Sequence, residues 1–198
     1  MNNIEKELEQ LHFGLNILSP LSKNSWEQAK PFFKKVSINE GEHLIQAEDK
    51  VEHMYFMTQG LARYYYLTLE GKEFNKSFSV PGNVVSSISS LVLNVPSPFY
   101  LQCLSNCSFI SIPFKNFSFL THNNMEFAQL GLRMLERLSI KKEQREADFL
   151  LLDATQRYEQ FLEEFSNISN QIPNYHIASY LGISEVTLSR IRRSLNLT

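Results

Sequence analysis

Residues 172–195 read IPNYHIASYLGISEVTLSRIRRSL, and how this stretch divides decides the architecture of the C-terminal part. Ile177 and Leu181 are spaced for one face of a first helix, while Leu188, Ile191 and Leu195 recur at i, i+3 and i+7 in a second. Gly182 between them can adopt the positive φ that a sharp turn requires, and Ile183 can close the corner against the core. Ser184 is placed as the N-cap of the second helix, with Glu185 at the positive end of its dipole. Turning that helix by roughly 100° per residue puts Glu185, Val186, Ser189, Arg190 and Arg193 opposite the apolar face.

A helix-turn-helix inserts its second helix into the major groove, where Arg pairs with guanine, Glu accepts from cytosine and an apolar group touches the thymine methyl. The strip offers all three chemistries. Ser184, Glu185, Val186, Thr187, Ser189, Arg190, Arg192 and Arg193 are therefore the candidate DNA-binding residues, with Arg192 at the edge and aimed at a phosphate. The competing reading is an ordinary helical hairpin with a solvated basic face.

The 198 residues leave room for two small domains, and the formal charge of -2 means that a nucleic-acid site must come from local clustering. The chain has no apolar run of membrane-spanning length, and its first residues, MNNIEKELEQ, are too polar for a signal peptide, so a cytosolic, membrane-free protein is expected. Cys103 and Cys107 are too few for a four-thiolate cluster, and Ser105-Asn106 suggests a turn between two buried thiols. His12, His43, His53, His122 and His176 are scattered, so neither a metal site nor catalytic residues are predicted, and a cupin-like metal enzyme is the weakest of the alternatives. Haem ligation by His43 or His53 has no further support in the sequence.

Upstream, Ile4, Leu8, Leu11 and Leu15 have helical spacing, and a second short helical run lies around Trp26 to Phe33. From Val36 the period changes to short aromatic and β-branched runs punctuated by Glu40-Gly41, Gln59-Gly60, Glu70-Gly71 and Pro81-Gly82, as a β-sandwich or barrel requires. Later strands are expected at Tyr100–Leu104 and Phe109–Pro113. A long helix is predicted over 123–152, with Phe127, Leu130, Met134, Leu135 and Leu138 on one side. It can pair with its twin, which is the favoured reading; because Gly131, Lys141, Arg145 and Asp148 interrupt that seam, packing against its own β-domain is the competing one. Asp153 and Gln156 have capping-box spacing, which makes Asp153 either a hinge or a plain helix cap before a helix carrying Tyr158, Phe161, Leu162 and Phe165.

This order, an α+β chain of small helices, a jelly-roll-like β-roll, a long helix and a terminal helix-turn-helix, resembles the CRP/FNR family of bacterial transcription regulators. The residues that carry the resemblance are Glu40-Gly41, Gly60, Gly71-Lys72-Glu73, Pro81-Gly82 and the terminal IASYLGISEVTLSRI. The resemblance implies a cyclic-nucleotide-binding-like sensor domain over 1–122, a dimerisation helix over 123–152 and a DNA-binding domain over 153–198. It also implies a homodimer on a near-palindromic operator, with RNA polymerase as a further partner. The family's ligand chemistry is missing, because its ribose-binding Glu corresponds to Ser87 and its phosphate-binding Arg to Ser97, and no charged residue lies between Lys76 and Lys115. Burying an unpaired phosphate there is costly, so no cofactor is predicted and cyclic AMP and cyclic GMP are not expected ligands. An uncharged effector among Tyr64, Tyr66, Phe78, Ser86, Ser87 and Ser97, or an empty pocket, are the two readings left. The family often continues past its recognition helix into a small β-wing, which the residues up to Thr198 do not supply, so affinity is expected to lean on dimerisation. The remaining alternative is a ligand-binding or protein-interaction β-roll without DNA function.

Overall fold

The computed structural model describes residues 3–197; where the expected domains reach Met1, Asn2 and Thr198 they lie outside the described residues. The chain forms two compact units, one of residues 1–64 and 78–137, the other of residues 65–77 and 138–198.

The first unit is a β-roll of two four-stranded sheets, ordered β1-β8-β3-β6 and β2-β7-β4-β5. Strand β8 (Cys107–Pro113) is the spine of the first sheet. It pairs antiparallel with β1 (Lys34–Ile38), Val36 opposite Phe109, and with β3 (His53–Gln59), Phe56 opposite Ile110. Six of its seven residues are buried because it is covered on both faces. The second sheet is built from β2 (His43–Ile45), β7 (Tyr100–Cys103), β4 (Ala62–Leu67) and β5 (Glu73–Ser79). The turn before β4 depends on Gly60, whose φ is +97°; a Cβ there would lie 2.6 Å from the Asn106 carbonyl and 2.7 Å from Cys107 Sγ. Cys103 and Cys107 are both buried free thiols on either side of the expected turn.

Helix α1 (Asn3–Leu18) buries Leu8, Leu11 and Leu15 in the core of this unit. Glu7 on the same helix accepts from Lys35 Nζ at 2.6 Å and from Ser108 Oγ at 3.2 Å, so its carboxylate ties the helix to β1 and β8. The expected run around Trp26 to Phe33 is a shorter helix, α2 (Lys23–Ala29), followed by a single tight turn that contains Pro31. Strand β6 (Val84–Val85) and a short helix α3 (Ile88–Leu93) follow.

The predicted long helix begins differently from expectation. Phe114–Asn123 forms a helix of its own, α4, and the break falls at Asn124. The Asn124 side chain accepts from the Glu126 N–H at 2.9 Å and donates to Ser25 Oγ at 2.8 Å, which caps the next helix and anchors it to α2. Helix α5 then runs unbroken over Met125–Leu151.

The second unit holds the C-terminal half of α5, α6 (Ala154–Glu164), α7 (Asn174–Leu181), α8 (Glu185–Ser194) and the tip of the β4–β5 hairpin. Asp153 makes the full capping box: its carboxylate accepts from the Thr155 and Gln156 N–H groups, and Gln156 Oε1 accepts from the Asp153 N–H at 3.0 Å. Tyr158, Phe161, Phe165, Ile172, Ile177, Leu181, Leu188 and Ile191 form its core, all at most 7% exposed.

Candidate nucleic-acid interface

The turn between α7 and α8 is built as its residues dictate. Gly182 has φ +71°, and the Ile183 N–H donates to the Ala178 carbonyl at 3.0 Å, closing the helix end. A Cβ on Gly182 would meet the Phe149 ring at 3.1 Å, so close approach as well as φ selects glycine here. Ser184 Oγ accepts from the Thr187 N–H at 3.1 Å, starting α8 where the N-cap reading places it. Leu188 and Ile191 are buried at 1% and 7%, whereas Glu185, Val186, Ser189, Arg190 and Arg193 are exposed on the opposite side. The strip is continuous. Thr187 is half-buried, with its hydroxyl 2.9 Å from Ser184 Oγ.

Arg192 differs from its expected role. Its Nη1 donates to Asn174 Oδ1 at 2.9 Å and its Nη2 to the Leu197 carbonyl at 3.2 Å. The guanidinium ties the start of α7 to the end of α8 rather than projecting toward a phosphate.

The long helix also sorts its faces differently from expectation. Phe127 and Leu130 are buried and Met134 is packed against the roll core, but Leu135 is 52% exposed and lies with Leu132, 57% exposed, on the other side. The polar residues that interrupt the predicted seam are satisfied within the second unit. Lys141 pairs with Glu164 at 2.7 Å, and Arg145 donates to the Tyr180 carbonyl at 2.8 Å with its guanidinium 3.8 Å from the Tyr180 ring centre. The free seam is Met125, Ala128, Leu132, Leu135 and Ser139, with three- and four-residue steps.

In the β-roll, five of the six predicted ligand residues fall in the first unit and one does not. The Ser86 N–H donates to the Tyr64 hydroxyl, whose pKa burial raises well above the ordinary phenol value. Tyr64 also meets Phe99 edge-on at 5.4 Å, and Ser97 Oγ donates to the Phe99 carbonyl at 3.0 Å. Phe99 thus joins Tyr64 to Ser97, a link the sequence reading missed. Ser86 donates to the His53 carbonyl at 2.9 Å. Ser87 and Phe78 are buried at 0% and 1%. Tyr66 shares the Tyr64 face of β4 by strand alternation, but it is 40% exposed, lies in the second unit and has Lys76 Nζ 5.7 Å from its ring centre, so it does not belong to this group. A cavity of about 150 Å³ in the first unit is lined by residues 44–45, 49–53 and 55, and so by none of the predicted ligand residues.

Sequence reasoning also missed Arg63. It is 4% exposed, and both Nε and Nη2 donate to Gln102 Oε1, at 2.9 and 2.7 Å. By strand alternation it faces away from Tyr64, so the cation stands on the other side of β4 from the Tyr64–Ser86 group. Among the described residues no group of three or more His, Cys, Asp or Glu could hold a metal ion, and no helix is long and apolar enough to cross a membrane.

With this geometry in place, the cyclic nucleotide-binding domain family matches residues 35–124, which cover the roll from β1 to the end of α4. The fumarate and nitrate reduction regulatory protein of Yersinia pestis is 25% identical over 173 residues, 80% of this chain and 67% of its own length. Over residues 35–124 the chain matches a cyclic nucleotide-binding domain, and as a whole it is similar to regulators of the CRP/FNR type. Among solved structures, FixK2 from Bradyrhizobium japonicum superposes with a TM-score of 0.71 at 20% identity, covering 83% of this chain and 84% of its own. A mutant CooA from Carboxydothermus hydrogenoformans gives 0.70 at 16% identity, over 92% of this chain and 83% of its own. The chain spans about two thirds of the length of the curated relatives it matches, at 67%, 65% and 66%.

Proposed function

We propose that this chain is a sequence-specific DNA-binding transcriptional regulator that acts as a homodimer, has no catalytic role and contacts RNA polymerase from a near-palindromic operator. The observation that carries the reading is the exposed strip of α8, where Arg190 and Arg193 stand beside Glu185, Val186 and Ser189 on a helix whose other face is buried. Its similarity to a fumarate and nitrate reduction regulatory protein supports the same reading.

Dimerisation falls to the free seam of α5. Leu132 and Leu135 are about half exposed, so burying them from both protomers contributes about 3–6 kcal/mol, against the ~4–15 kcal/mol that association costs. That pair is therefore necessary rather than sufficient for two chains to stay together. Asp153, at the break between α5 and α6, is the pivot for movement of the reading module.

The roll binds no cyclic nucleotide tightly. Ser87 and Ser97 offer hydroxyls where a ribose and a phosphate need a carboxylate and a guanidinium, and the buried Arg63 is held by Gln102. The experiment is selection of bound sequences from random duplex DNA by the purified full chain without added ligand. The expected result is a palindrome with half-sites roughly one helical turn, about 34 Å, apart. If neither the chain alone nor the chain with cell extract metabolites enriches any sequence, the DNA-binding reading fails.

A further inference from the structure

The tip of the β4–β5 hairpin belongs to the second unit, and what fastens it there is Asn75. This asparagine is 5% exposed on β5. Its backbone N–H donates to Ser179 Oγ at 2.9 Å, and its Nδ2 donates to the His176 carbonyl at 3.0 Å while lying 3.1 Å from His176 Nδ1. Ser179 Oγ in turn donates to the Glu73 carbonyl at 3.2 Å. A strand is thus hydrogen-bonded to two successive turns of α7, the first helix of the helix-turn-helix. His176 is 4% exposed, and Asn75 serves it with both amide hydrogens, which requires the ring nitrogen facing Asn75 to be an acceptor.

The tip is a preformed piece. The Gly71 N–H donates to the Thr68 carbonyl and the Thr68 N–H to the Lys72 carbonyl, both at 3.0 Å, while Lys72 lies over Phe74 at 4.7 Å. The hydrogen bonds from Asn75 and Ser179 that join the tip to α7 are neutral, each of modest net worth, and a preformed tip engages or lets go as one body. Its grip is on α7 and leaves the α8 strip exposed, so it orients the reading helix without covering it. The two strands that carry the tip continue into Tyr64 and Phe78, residues of the buried group in the roll.

We propose that Asn75 is a latch that couples the β4–β5 hairpin to α7, so that hairpin and helix-turn-helix open and close together and the closed latch holds α8 in its DNA-competent orientation. The last clause rests on the DNA-binding reading above; the coupling itself does not.

Hydrogen–deuterium exchange on the full chain tests it, comparing the natural protein with Asn75→Asp, which keeps the side chain's size but sets an acceptor against the His176 carbonyl, and with Asn75→Ala. The expected result is faster exchange over residues 73–77 and 176–181 in both variants, with β3 and β8 unchanged as the sign of an intact roll. Operator affinity, measured by fluorescence anisotropy on the selected palindrome, should fall on the order of tenfold, the effect of losing one or two such hydrogen bonds. Unchanged exchange in both segments, or faster exchange in only one of them, overturns the coupling. Faster exchange in both with operator affinity kept within about twofold overturns the orienting role. If the natural protein selects no DNA, the DNA-binding reading and with it the orienting role fail, while the exchange data still decide the latch.

Discussion

Gly60 shows how far one position can be predetermined. Its φ of +97° and the 2.6–2.9 Å approach to Asn106 and Cys107 leave no room for a methyl group. Gly60→Ala should lower stability by about 2–4 kcal/mol, read as a shift of the denaturant midpoint at unchanged slope. Arg192 has become a different kind of residue from the one its sequence position suggested. Because it bridges Asn174 and Leu197, Arg192→Ala should loosen the helix-turn-helix and lower its melting temperature even without DNA. Arg190→Ala should leave melting unchanged and cost about 1–3 kcal/mol of operator binding with relaxed specificity. Equal thermal behaviour of the two variants contradicts these roles. Lys76 supplies a pH dependence. Burial, with a smaller contribution from the charge of Lys142, holds its pKa down to about 8. A lysine depressed in the folded state destabilises it fully below that value, and the penalty is relieved as pH rises from about 8 toward the ordinary lysine value. The melting temperature of the natural protein should therefore rise relative to Lys76→Met as pH goes from about 8 to about 10 in buffers of constant ionic strength.

Among the elements, those fixed by short-range chemistry were legible. Gly182, the Ser184 cap and the period of Leu188 and Ile191 lie within a few residues of each other, and the Asp153–Gln156 box is equally local. Elements decided by distant partners were not. Helix α4 carries Phe114, Phe117, Phe119 and Ser118, which by themselves favour a strand as much as a helix, and its packing settles the matter. The burial of Arg63 depends on Gln102, which lies 39 residues away in sequence. In α5, periodicity put Phe127, Leu130, Met134, Leu135 and Leu138 on one side, whereas the structure divides the apolar residues into two stripes and only the one with Phe127 and Leu130 goes inside. The other stripe makes the prediction. Leu132→Glu with Leu135→Glu should convert the proposed dimer to monomer in sedimentation velocity at micromolar concentration without altering the melting of the roll, whereas Phe127→Ala should cost about 3–5 kcal/mol of folding stability.

At the scale of the whole molecule, the roll retains the cyclic-nucleotide-binding architecture while its interior has changed character. From Ser77 to Phe114 the chain has no charged side chain, and the group around Tyr64, Ser86, Phe99 and Ser97 is joined by neutral hydrogen bonds and ring contacts. Titration calorimetry with cyclic AMP and cyclic GMP should show no micromolar binding; a saturable heat at that level contradicts the reading of the pocket. The fold was legible from turn glycines and periods, but the membership of this group was not, because Tyr64 and Tyr66 share one face of β4 and read alike in sequence, and Phe99 carries no motif.

The leucines left open on α5 bear on the lifetime of the protein as well as on its assembly. A lone chain carries Leu132 and Leu135 into water beside Ile140, which is 67% exposed, and apolar surface of that kind is what cellular chaperones and proteases inspect. Chains synthesised below the concentration at which they pair would be cleared soonest, so turnover itself would set a lower threshold on abundance, and the half-life after translation arrest should lengthen as expression rises.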